Sequence, residues 1–147
     1  MAALNATRSG QYVLESEFTF DIAAGDTLLN TAGNVITFKA AAATAFDAIK
    51  LPLNATVVGG DVTVETVSND GGTATITVGD SGSATRYLGA TSIKSAARTA
   101  LVPTGYRGQA EDIRLTLANA NGDATTGKVT VRVLWIMANR ANEVFPN

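Results

Sequence analysis

The chain has 147 residues and a formal net charge of −2. That length fits one domain able to bury a substantial core, and the weak negative charge leaves no electrostatic footprint for nucleic acid. It contains neither cysteine nor histidine, which excludes disulfides, a thiolate nucleophile, the usual base near neutral pH and the commonest metal ligand.

Charged residues make up only 16% of the chain. With so few charges to keep every face wet, part of the surface is expected to be covered by partners. The charge is also uneven. Residues 1–85 hold nine acids and three bases, net −6, and residues 86–147 hold four acids and eight bases, net +4. Either one subunit's acidic face meets another's basic face, or strands from both halves interleave and the charges mix.

Residues 1–11 are small and polar without periodicity and read as a flexible N-terminal arm that orders against a partner. They show no secretory leader, and no run approaches the length of a membrane span. Tyr12 to Ile22 predicts a strand, with Leu14, Phe18, Phe20 and Ile22 on one face and Glu15, Glu17, Thr19 and Asp21 on the other. Thr27–Leu29 and Val35–Lys39 predict a hairpin around Thr31-Ala32-Gly33-Asn34. Ala40 to Ile49 is the one helix-compatible stretch, because alanine has the best helix propensity. Ile49 to Val58 reads as a strand whose Pro52 suits an edge or a strand start. Gly59-Gly60 then reads as a turn or bulge.

Asp61 to Asp80 predicts a central hairpin. Val62 and Val64 alternate with Thr63 and Glu65, Ala74, Ile76 and Val78 alternate with threonines, and Ser68-Asn69-Asp70-Gly71-Gly72 supplies the turn. Ala84–Leu88 is a short candidate strand and Thr91–Ala100 fits loop, helical turn or strand. Leu101–Tyr106 reads as a strand end and turn. Asp112–Leu117 alternates with Ile113, Leu115 and Leu117 inward. Lys128–Ile136 is the strongest strand, with Val129, Val131 and Val133 on one face. Eight to ten short strands separated by turns predict an all-β fold: an antiparallel two-sheet sandwich, jelly-roll-like, spanning residues 12–140 as a single domain. Residues 141–147 read as a C-terminal tail.

No catalytic, cofactor-binding or metal-binding residue is assigned. Gly79-Asp80-Ser81-Gly82 spells the GDSG of trypsin-like proteases, but without a histidine it reads as a tight turn. Ser92 and Lys94 form a nominal dyad whose lysine is expected in solvent. Glu15 and Glu17 share a strand face, which suits a wet surface better than a glycosidase pair. Asn69–Gly72 and Asn119–Asp123 offer oxygens to calcium, yet turn chemistry explains both. The sequons at Asn5 and Asn54 matter only in a secretory pathway. Tyr12, Phe18, Phe20, Phe38, Phe46 and Trp135 read as core. Tyr87 and Tyr106, beside Arg86 and Arg107, are candidates for stacking in a contact surface.

Several phrases from Phe46 to Ala141 are FDAIKLPLNATVVGGDVTVETV, VGDSGSATRYLGATSIKSAARTALVPTGY, DIRLTL and TGKVTVRVLWIMANRANE. Together they resemble small virion proteins of tailed bacteriophages encoded near the major capsid protein, of the head decoration (cement) type. The resemblance covers about two thirds of the chain. It implies a non-enzymatic β domain, without cofactor, on the capsid exterior of a virion assembled in the host cytoplasm. Its implied partners are the major capsid protein and itself, as a homotrimer, with no direct nucleic-acid binding and no membrane. The alternatives are another virion component, such as a tail or head–tail connector protein, or a surface carbohydrate-binding module. A hydrolase remains the last rival.

Overall fold

A computed structural model describes residues 12–40 and 42–137. The predicted arm at 1–11 and tail at 141–147 lie outside those residues, as does the end of the 12–140 domain. Among the described residues eleven strands follow one another: β1 (Leu14–Asp21), β2 (Thr27–Leu29), β3 (Val35–Thr37), β4 (Thr44–Ile49), β5 (Leu53–Thr66), β6 (Ala74–Gly79), β7 (Leu88–Ser92), β8 (Arg98–Ala100), β9 (Arg107–Gln109), β10 (Ile113–Asn119) and β11 (Lys128–Met137). One 3₁₀ turn, Phe38–Ala40, follows β3. No helix among the described residues is long and apolar enough to cross a membrane.

The strands form a two-sheet sandwich. The first sheet has the order β1-β11-β5-β8, with β9 also on β5, and the second has the order β4-β10-β6-β7. Pairing is nested and antiparallel. β1 pairs β11, β4 pairs β10, β5 pairs β8 and β6 pairs β7. A long hairpin rolled up on itself gives this order, which is that of a jelly roll. β2 and β3 form a separate ribbon, in the place where the hairpin around Thr31–Asn34 was expected.

The alternating residues of both sheets meet in one core. Phe20, Val62, Val64, Val129, Val131 and Val133 come from the first sheet, and Phe46, Ile76, Val78, Leu115 and Leu117 from the second. Phe38 enters from the 3₁₀ turn and joins the two layers. Its ring stacks on Phe20 at 4.4 Å and meets Phe46 at 4.9 Å.

Three expectations are corrected. Asp61–Asp80 is no hairpin, because β5 and β6 belong to different sheets. Both runs bury one face, and those faces meet across the core rather than lying side by side. The intervening loop is an arch over the end of the sandwich. Ala40–Ile49 is not helical. β4 there buries Phe46 and Ile49 and pairs β10, so edge pairing and core burial outweigh alanine's helix propensity. Of the turn and the bulge read at Gly59-Gly60, the bulge holds: β5 runs through both glycines, and its register shifts beside Gly59, opposite Leu134/Trp135. Finally, Tyr12 is 89% exposed and is not core. It precedes β1, where no sheet covers it.

Candidate assembly surface

The two outward faces differ in chemistry. On the first sheet, the register aligns Thr19, Thr130 and Thr63 in one row and Glu17, Arg132 and Asp61 in the next. These side chains form a polar grid. Arg132 lies 3.2 Å from Glu15, 3.4 Å from Glu17 and 3.7 Å from Asp61. Asp61, only 3% exposed, also receives Arg98 at 2.8 Å and the Thr63 hydroxyl at 3.1 Å. Lys128 meets Glu65 at 2.8 Å, and Thr130 bridges Glu65 and Thr19. The outward face of the second sheet is built of small residues. Ala45, Thr116 and Thr77 form one row, and Ala118, Thr75 and Ser92 the next. The Asp47–Arg114 pair at 2.7 Å stands at its end.

Every ion pair named here, together with Asp80–Arg86, joins an acid of residues 1–85 to a base of residues 86–147. Nested pairing lays the first half of the chain against the second. The charge asymmetry is therefore used within the molecule, and of the two expectations the mixing one holds.

Burial pushes the Asp61 carboxyl up, but the Arg98 and Thr63 hydrogen bonds and the Arg98 and Arg132 charges outweigh it, leaving the group below its ordinary 3.8. A carboxyl lowered by folding stabilises the fold above its unfolded pKa, and that contribution is lost as pH falls through the folded value. Asp61→Asn should therefore lower the urea midpoint at pH 7, with the gap to wild type closing below about pH 4. Urea titrations at pH 7, 5 and 3 measure this, and a gap constant with pH would refute it.

The loops account for the remaining candidate residues. Both nominal calcium loops come together, but as a clasp. Asp70 accepts amide protons from Gly72, Asn121 and Gly122, Asp123 accepts that of Gly71, and Asn69 accepts those of Thr125 and Thr126. These amides hold the Asp70 carboxyl below its ordinary value against the opposing effect of burial, which is the largest single influence. Lys94 places its ammonium on the Asp70 and Gly72 carbonyls at 2.7 and 2.6 Å. It thus fastens the arch instead of activating Ser92, whose hydroxyl accepts from the Lys94 amide.

In GDSG the centre is Asp80, and Ser81 faces solvent. Asp80 accepts from the Gly82 and Ser83 amides and pairs with Arg86. Arg86 also stacks on Tyr106, its guanidinium carbon 3.7 Å from the ring centre, and Tyr106 donates to Glu111 at 2.7 Å. The sequence set Tyr87 beside Arg86 and Tyr106 beside Arg107 for a contact surface; the structure instead stacks Arg86 on Tyr106 within the chain. Tyr87 is buried, and burial, first among several influences, raises its hydroxyl to about 12.

One surface escaped sequence reasoning. Beyond the polar grid, Val58, Val102, Leu134 and Ile136 occupy the outward side of the first sheet. Leu134 and Ile136 alternate with inward Val133 and Trp135, a signal legible in the sequence. The Gly59 bulge and the β8 extension that add Val58 and Val102 are not.

No family model and no curated protein matches this sequence. Solved structures share its fold. A chain of the cyanophage Pam1 capsid asymmetric unit is similar with TM-score 0.62 and 23% identity, over 92% of this chain and 94% of that one. A chain from the acid-stable capsid of Helicobacter pylori bacteriophage KHP30 is similar at 0.54 and 15%, over 90% of each. One from the capsid of Ralstonia phage GP4 is similar at 0.56 and 16%, over 95% of this chain and 92% of that one.

Proposed function

We propose that this chain is a non-enzymatic decoration, or cement, protein that binds the outside of a phage head and stabilises the shell by bridging capsid subunits. The observation that carries the reading is the shared jelly roll, spanning at least 90% of this chain and of chains in the capsids of three phages. The side chains that offered catalysis support it as well. Glu15 and Glu17 serve Arg132, Lys94 fastens a loop, and Asp80 organises a turn.

In this reading the small-residue face of the second sheet lies against the shell, since small uncharged side chains let another surface approach closely. The partners are the major capsid protein and two further copies of the chain. Residues 1–11 act as an arm that orders against a neighbour.

Purified protein mixed with heads that lack it is expected to pellet with them at micromolar concentration, spread over the shell in a density map. Light scattering should give three times the 15.1 kDa chain mass. Failure to pellet would overturn the reading, and density confined to a ring at one vertex would favour a head–tail connector.

A further inference from the structure

We propose that the apolar patch of Val58, Val102, Leu134 and Ile136 is the docking site for Val144 and Phe145 of the chain's own C-terminal segment. The patch is contiguous by register. Leu134 lies opposite Gly59, and Ile136 opposite Thr56. The Leu101 amide donates to the Gly60 carbonyl, which sets Val102 beside Gly59 on the outward side. Val102 is 64% exposed and Val58 37%. Gly59 adds no side chain there, and a Cβ on it would meet the Leu134 side chain at 3.6 Å.

Three features select the occupant. The first is position. β11 delivers Ile136 into the patch and ends at Met137, so the segment that follows starts at the patch itself. Eight further residues to Phe145 reach up to roughly 27 Å. The patch, three strands across, spans about 10–15 Å, which leaves enough chain for a reversal.

The second is composition. Residues 138–147 read ANRANEVFPN. Val144 and Phe145 are the large apolar side chains in it. Asn139 and Asn142, both turn formers, precede them.

The third is charge. Arg107, opposite Thr56 at the rim of the patch, has no ion pair among the described residues, and Glu143 adjoins the apolar pair. A tethered segment also competes at an effective concentration near millimolar, so it covers the patch ahead of a separate chain.

The chain has no cysteine, so a Val102→Cys, Phe145→Cys pair reports contact without background. Under mild oxidation the full-length double variant should form an intrachain disulfide, running as a monomer and no slower than the reduced chain on a non-reducing gel, with loss of both free thiols. Closure should be at least about tenfold faster than for a Thr116→Cys, Phe145→Cys control on the opposite face. Disulfide-linked dimers in place of the intrachain bond would overturn the proposal in favour of a neighbour's segment. Closure no faster than the control would show that nothing docks there. In a second measurement, Phe145→Ala in the full chain should raise the fluorescence of an apolar-surface dye several-fold, and an unchanged signal would also overturn it.

Discussion

Phe38→Ala is expected to cost about 3–5 kcal/mol, a large share of the ~5–15 kcal/mol available to a domain of this kind. Phe38 is 1% exposed and belongs to neither sheet. It is wedged between them, stacked on Phe20 at an interplanar angle of 13° and tilted against Phe46 and Phe18. Truncation removes the burial of one aromatic side chain, three ring contacts worth about 0.5–1.5 kcal/mol each, and leaves a cavity that two rigid sheets cannot close. The backbone there is held separately, by the Asn119 amide on the Phe38 carbonyl at 2.7 Å and by the Phe38 amide on Asp26 at 3.2 Å. The loss should therefore be local to the side chain, with the denaturant slope unchanged. Phe38→Leu should cost appreciably less, because it keeps most of the volume. Urea unfolding at pH 7 measures both. A Phe38→Ala loss below about 1 kcal/mol would mean that the aromatic wedge does not join the layers.

The second large effect is at Gly60. Its φ is +130°, and a Cβ there would lie 2.1 Å from the Arg132 carbonyl oxygen and 3.0 Å from the Val133 Cα. Both obstacles are backbone of the neighbouring strand, so no rotamer relieves them. Gly60→Val would have to open the β5–β11 ladder, the longest pairing in the first sheet. The expected result is no soluble folded protein, or a loss above about 4 kcal/mol. Gly59→Ala is the internal control. Its Cβ would meet only the Leu134 side chain, at ordinary contact distance, and should change stability by less than about 1 kcal/mol. Soluble yield, circular dichroism and urea midpoints for the two variants decide the matter. Equal behaviour would show that the close backbone approach at Gly60 does not limit stability.

These two residues also mark where the sequence was legible and where it was not. Period-two alternation located β1, β10 and β11 and named their inward residues, because each has one buried and one wet face. Partner choice lay outside its reach. Val62 and Ile76 read the same whether their strands pair in one sheet or face each other across a core, and the arch at Ser68–Gly72 uses the residues a hairpin would use. β4 misled through composition. Alanine favours a helix in isolation, but Phe46 and Ile49 have a core to fill and β10 offers an edge. Gly59-Gly60 read as a turn or bulge, and the bulge holds, but that Gly60 serves close approach between strands needed coordinates. In the loops, residue types identified turns correctly, while the fact that Asp70 and Lys94 clasp segments some 25–50 residues away in the chain needed coordinates.

Nested pairing has a further consequence for how the molecule is made. Leu14 pairs with Trp135, 121 positions along the chain, and β4 likewise waits for β10. The first sheet cannot close until β11 has been made, nor the second until β10 has. Loops of this size are entropically slow to shut, so folding should take milliseconds to seconds. Until β11 is in place, the inward valines of β5 lack their neighbours on that side. The interval before the late strands arrive is thus when the chain is most prone to aggregate, and when a chaperone would have the most to grip.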